Sequence, residues 1–376
     1  MAPVLAPVVA SVLALTLCPL LRSGAIRAQT GAAAGATARS TGGTAVGGQP
    51  GRQLVFVENT NSGDLSVIDD ARLRVVGTSP VGLSPDDIIA SPDDRTLYVS
   101  RIVRTESGRP TGRGEVVAVD PATHAILWRA GFVGVPNHLA VSPDGTRIYA
   151  TIVSTKQVYV IDPARHAVVD SIAVGIGPHD ILVTPDGRRL YVGLILGNGL
   201  TIVDATTHRI LHQTAFRAGV RPLALTPDDR QLFVQLSYLH GFVVVDPATG
   251  DTLRRVHLPF RPGEAVPDSM PVTADHGLRI TADGRYLLAN GSMANLVAIY
   301  SLPTLSLVAT VPVGTDPNWI ALTPDGAHAY VSNRGSNDVS VIDLASRREI
   351  ARIRVGTFPE RLTAIRAEPR EPQRGR

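Results

Sequence analysis

A Ser/Thr-Pro-Asp turn leading into an apolar strand recurs along the chain. The copies are Ser91-Pro92-Asp93-Asp94, Ser142-Pro143-Asp144-Gly145, Thr184-Pro185-Asp186-Gly187, Thr226-Pro227-Asp228-Asp229, Thr281-Ala282-Asp283-Gly284 and Thr323-Pro324-Asp325-Gly326. Successive starts lie 51, 42, 42, 55 and 42 residues apart. Three equal spacings set the length of a unit, and the two longer ones mark insertions. A seventh copy of the strand that follows the turn, Gln53–Glu58, precedes the first turn. The turn has a local cause: Pro presets φ, Asp bonds its own backbone, and Gly accepts positive φ.

Each unit reads as four strands. In the third, His138–Ser142 is a short inner strand, Arg147–Thr151 returns after the turn, Val158–Ile161 follows, and His166–Val174 lies outside. Strand segments are rich in Val, Ile, Leu and Tyr, and no long amphipathic helix is evident. Seven four-stranded units near 42 residues predict an all-β, seven-bladed β-propeller. A chain of 376 residues with 44% apolar and 18% charged residues can fill such a core as one domain. The N-terminal unit holds only Gln53–Glu58, Asp64–Asp69 and Arg74–Val81. Arg361–Ile365 at the other end supplies its missing inner strand, so both termini share one blade and no edge stays open.

Tyr330-Val331-Ser332-Asn333 differs at one position from a Tyr-Val-Thr-Asn signature. Tyr98-Val99-Ser100-Arg101 and Tyr191-Val192-Gly193 are looser copies, and Val341-Ile342-Asp343 completes the pattern. Over about residues 51–366 the chain thus resembles the YVTN-repeat, YncE-like propellers, whose roles vary. The related lactonase-like propellers include metal-dependent hydrolases, so the resemblance admits a metal-assisted lactone hydrolase or lyase beside a binding module.

Residues 4–21 are apolar, broken by Pro7 and Pro19, and Arg22 and a candidate cleavage point after Ala28 follow. Residues 1–28 therefore read as a signal peptide of a secreted or periplasmic protein, with an uncleaved membrane anchor as the rival. Leu17 before Cys18 does not suit a lipobox. Cys18 is the only cysteine, so a disulfide framework, a Cys-rich zinc site and a CxxC redox motif are excluded. Residues 29–51 read as a flexible Gly/Ala/Thr linker, 52–366 as the propeller and 367–376 as a disordered tail. The formal net charge of +3 arises at the ends, because residues 40–365 hold 29 basic and 31 acidic side chains. A near-neutral body with 5% aromatics argues against nucleic acid as partner. Walker, GxSxG, GxGxxG and CxxCH motifs are absent.

In a blade, the entry to the inner strand and the connection between its second and third strands open on one face. Arg101–Gly114 and His257–Asp275 carry the extra residues, and both fall there. The residues entering the inner strands form a polar collar around the channel mouth. The first position reads Asp86, Asn137, His179, Arg221, His276, Asn318 and Glu360; the next reads Asp87, His138, Asp180, Pro222, Gly277, Trp319 and Arg361. His138, His179 and His276, with Asp87 or Asp180, have the donor types for a divalent metal ion, or each imidazole bonds a backbone group. Arg221 can clamp an anion or pair with a carboxylate. Trp319 can stack a ligand or pack the mouth. Glu360 and Arg361, at the closure, read as an ion pair. The expected partner is a small ligand or an extracytoplasmic protein held at this collar.

Overall fold

The computed structural model describes residues 51–264 and 266–367. The expected leader, nearly all of the linker and the tail beyond Ala367 lie outside these residues. Seven four-stranded antiparallel sheets make up the described chain, with no helix among the described residues. No helix there is long and apolar enough to cross a membrane. The first blade is closed as expected: Pro359–Ala367 pairs with Arg52–Asn59, which is followed outward by Asp64–Asp69 and Arg74–Pro80. The core lies between blades as seven apolar clusters, for example Tyr330, Val339, Val341, Val55, Val57 and Leu362 across the closing seam.

The turns work as their residues suggest. In the third blade the Ser142 hydroxyl and the Thr146 amide both reach one oxygen of Asp144, and Gly145 sits at φ 70°. These turns form one face, here the turn face. The opposite end, where inner strands begin, is the insertion face.

One expectation is corrected there. The Arg101–Gly114 insertion is no separate loop. Its blade's second and third strands, Leu97–Arg104 and Pro110–Val119, continue through it as a longer hairpin. Arg101 and Glu115 are cross-strand partners bridged at 3.2 Å, and this pair helps carry the ladder outward. The second insertion does leave the sheet, and it shortens the sixth inner strand to Leu278–Ile280. Asp275 roots it. One carboxylate oxygen accepts the Gly241 amide at 2.6 Å, the other accepts the Ser292 amide at 3.1 Å, and His240 Nδ1 lies 2.9 Å away.

Candidate functional site: the channel throat

Inner strands are irregular where they begin. Pairing with the second strand skips at Pro85/Asp87, Pro136/Leu139, Pro178/Ile181 and Pro317/Trp319. The freed carbonyls are met by hydroxyls from the preceding blade. Ser100 bonds Asn137 O, Thr151 bonds His179 O and Ser332 bonds Glu360 O, each at 2.7 Å. Ser100 and Ser332 hold the third position of the Tyr-Val-x motif, which thus has a mechanical role: it anchors the strand start that carries the collar.

The collar lies inside the throat, not on its outer lip. His138, His179, Arg221, His276, Asn318, Trp319, Arg361, Asp87 and Asp180 are all buried, whereas Asn137 and Glu360 are half-buried nearer the insertion face. In the sixth blade the second collar position must be glycine. Gly277 has φ 131°, and a Cβ there would meet Asn318 O at 2.7 Å.

Asp87 and Asp180 are stitches between blades. Asp87 accepts the Ile88 amide at 2.8 Å and, from the next blade, the Leu139 amide at 2.7 Å. Asp180 does the same with Ile181 at 2.9 Å and Leu223 at 2.6 Å. Each carboxylate thus has both oxygens on backbone amides, and Asp180 also faces His138 Nδ1.

His138, 1% exposed, has both nitrogens engaged. Nδ1 lies 3.0 Å from Asp180, and Arg361 donates to Nε2 at 2.6 Å. That pattern places the proton on Nδ1 and leaves the ring neutral. His179 and His276 stand beside it, with ring centroids 4.6 and 6.1 Å from that of His138. Their Nδ1 atoms are buried and have no hydrogen-bond partner among the described residues. Burial holds all three imidazoles well below their ordinary pKa; nearby Arg361 and Arg221 add to this.

Glu360 and Arg361 do not pair with each other. Glu360 bonds Arg334 at 3.1 Å, while Arg361 donates to Asn318 as well as His138 and lies 4.2 Å over the Trp319 ring. Trp319 is thereby a shelf for guanidinium and imidazole groups. Arg221, 6% exposed, has no carboxylate partner among the described residues. It bonds Ser237 Oγ at 3.1 Å and Val272 O, in the second insertion, at 3.4 Å. Burial lowers its pKa to about 10, with Arg334 adding to the shift.

One ligand atom from each of the three histidines lies within 4.8 Å of the others, so the expected convergence is real. The surroundings nevertheless do not fit a divalent ion. Zinc-like ions need imidazole nitrogens roughly 3.4 Å apart at bonds of about 2 Å. His138 Nε2 is taken by Arg361, both flanking carboxylates are used by amides, and the guanidinium charges of Arg221 and Arg361 act on all three rings.

Three features were not foreseen. Arg279 stands at an inner-strand layer otherwise filled by Ile89, Ala140, Leu182, Ala224, Ala321 and Thr363. Glu58 occupies the third motif position of the first blade, where Ser100 and Ser332 have hydroxyls. It is 0% exposed, and with Asp86 and Glu360 it forms a carboxyl cluster behind Arg361. The third is the buried His240–Asp275 pair.

Residues 270–370 match the family of YncE-like beta-propellers, which bears out the resemblance carried by the last blades. No curated protein matches the sequence. Solved structures of similar fold include hydrazine synthase of Kuenenia stuttgartiensis, 21% identical, covering 84% of this chain and 99% of that one at TM-score 0.67. The periplasmic gluconolactonase of Pseudomonas aeruginosa is 19% identical, with coverage of 84% and 99% and TM-score 0.68. A protein from Lactobacillus plantarum is 16% identical, with coverage of 84% and 99% and TM-score 0.69. Such distant likeness establishes the seven-bladed fold.

Proposed function

We propose that this propeller is a binding module whose throat takes a small anionic ligand. Arg221 is the anchor, and His179 and His276 supply hydrogen bonds beside it. One observation carries the reading: a guanidinium 6% exposed, without a carboxylate, next to imidazoles whose Nδ1 atoms lack partners. A buried charge of this kind is stabilised when a carboxylate or phosphate completes the pair. Calorimetric titration with acetate, glycolate, oxalate, gluconate and phosphate tests it. At least one is expected to bind, and Arg221→Met to weaken that binding about 10- to 100-fold, the worth of a charge-assisted bond. No binding below millimolar concentration, or binding indifferent to Arg221→Met, would contradict the reading.

Lactone hydrolysis is the second reading. The His138–Asp180 pair favours it, since a neutral imidazole held by a carboxylate becomes a general base once a substrate displaces Arg361 from Nε2. Three structural neighbours bear lactonase names. Turnover of a lactone that disappears in His138→Gln would support it; inactivity across a panel of aldonolactones would remove it.

The module is proposed to act outside the cytoplasm, on the strength of the apolar run 4–21 and the small residues leading to Ala28. Mass spectrometry of the exported protein should find a mature N-terminus near Gln29. An intact N-terminus in the membrane fraction would favour the anchor.

A further inference from the structure

Below the collar lies a cavity of about 180 Å³. Its walls are Ile89, Ala140, Leu182 and Leu223, and its collar end is polar, where Asp87, His138 and Asp180 line it beside Arg279 and Trp319. Val141 and Val183 border it, immediately before the turn residues Ser142 and Thr184, so it reaches toward the turn face. Arg221, His179 and His276 are not among the residues that line it.

We propose that this lower lumen binds a small monocarboxylate with an apolar body, its carboxylate on Arg279 and its chain along the aliphatic walls. Arg279 is held for that task. Its Nε donates to Ile320 O at 3.0 Å, and its guanidinium lies 5.3 Å over the Trp319 ring. These contacts fix the plane of the fork. Its two terminal nitrogens have no hydrogen-bond partner among the described residues. Asp87 and Asp180 lie near enough to act on Arg279, but their oxygens already accept backbone amides across the blades.

The ligand class follows from the lining. A guanidinium with free donors at one end selects a planar acceptor such as carboxylate. Aliphatic walls select a hydrocarbon body, since each buried methylene favours binding about fourfold. The volume equals about six waters, which admits a chain of roughly six carbons and no drug-sized molecule. Apolar walls also make water a poor permanent occupant.

This inference does not rest on the Arg221 reading, and the experiment separates the two. Acetate, butyrate, hexanoate and hexanol are titrated calorimetrically into the wild type and into Arg279→Gln, Ala140→Phe and Arg221→Met. Affinity is expected to rise about fourfold per methylene from acetate to hexanoate. Hexanoate should exceed hexanol by about tenfold in the wild type, and Arg279→Gln should remove that margin. Ala140→Phe, which fills the lumen, should abolish binding, while Arg221→Met should leave hexanoate untouched. Should Arg279→Gln fail to fold, Ala140→Phe decides alone. Affinity that does not grow with chain length, hexanoate binding that survives Ala140→Phe, or hexanoate binding lost in Arg221→Met would each overturn the proposal.

Discussion

Replacing Arg361 with methionine is expected to destabilise the fold by about 3–5 kcal/mol, the usual loss when one member of a buried charged network is removed. Arg361 lies on the closing strand, yet its guanidinium reaches His138 in the third blade and Asn318 in the seventh, with the Trp319 ring beneath it. It is a spoke that ties the ring across its own channel. Methionine keeps much of the stem's packing and removes the fork, leaving His138 Nε2 and Asn318 Oδ1 unsatisfied. Lysine should rescue little, because a single ammonium cannot reproduce the planar geometry. The pKa of His138 should also rise once the neighbouring cation is gone, though burial still holds it down. Urea unfolding measures the first effect and imidazole NMR the second. A loss below about 1 kcal/mol would mean that the closure does not depend on this spoke.

Stability is expected to fall as pH rises from about 5 to 8, by about 3 kcal/mol, and Asp86→Asn is expected to remove most of that slope. Thr60 Oγ1 lies 2.9 Å from an oxygen of Glu58 and 2.9 Å from an oxygen of Glu360. A hydroxyl has one hydrogen, so one of these carboxyls must supply the other. Asp86 completes the cluster and takes a bond from Asn137 at 2.6 Å. Burial, then the Glu360 charge, raises Asp86 from 3.8 to about 7 and lifts Glu58 well above its ordinary value. An acid whose folded pKa exceeds its unfolded pKa binds more protons when folded between the two values. The folded state is therefore favoured below about pH 4, and this advantage is lost up to about pH 7. Asparagine at 86 keeps an acceptor for Asn137 without the titration. Unfolding free energies at pH 5 and pH 8 that are equal in the wild type would contradict the shared-proton cluster.

What was legible in the sequence is what depends on local chemistry. The Pro-Asp-Gly turns form because Asp144 and its equivalents bond within five residues, and a 42-residue period needs no knowledge of packing. The closing strand could be found because one unit lacked a strand and the other end held a spare. The roles of the collar depend on contacts distant in sequence. Asp87 looked like a ligand candidate, but its second oxygen serves an amide 52 residues away. Arg361 looked like the partner of adjacent Glu360, but it bonds His138, 223 residues away. Arg279 was overlooked because its importance appears only when inner strands are aligned layer by layer. Glu58 was passed over as an ordinary strand residue, although its place among hydroxyl-bearing motif positions marked it out.

Crystals soaked in selenate and, separately, in zinc put the throat to the most direct test by anomalous scattering. A selenium peak is expected within about 4 Å of the Arg221 guanidinium, beside His179 and His276, and no zinc at the three imidazoles. A zinc peak equidistant from His138, His179 and His276, with Arg361 swung away and no selenium near Arg221, would contradict anion binding at Arg221.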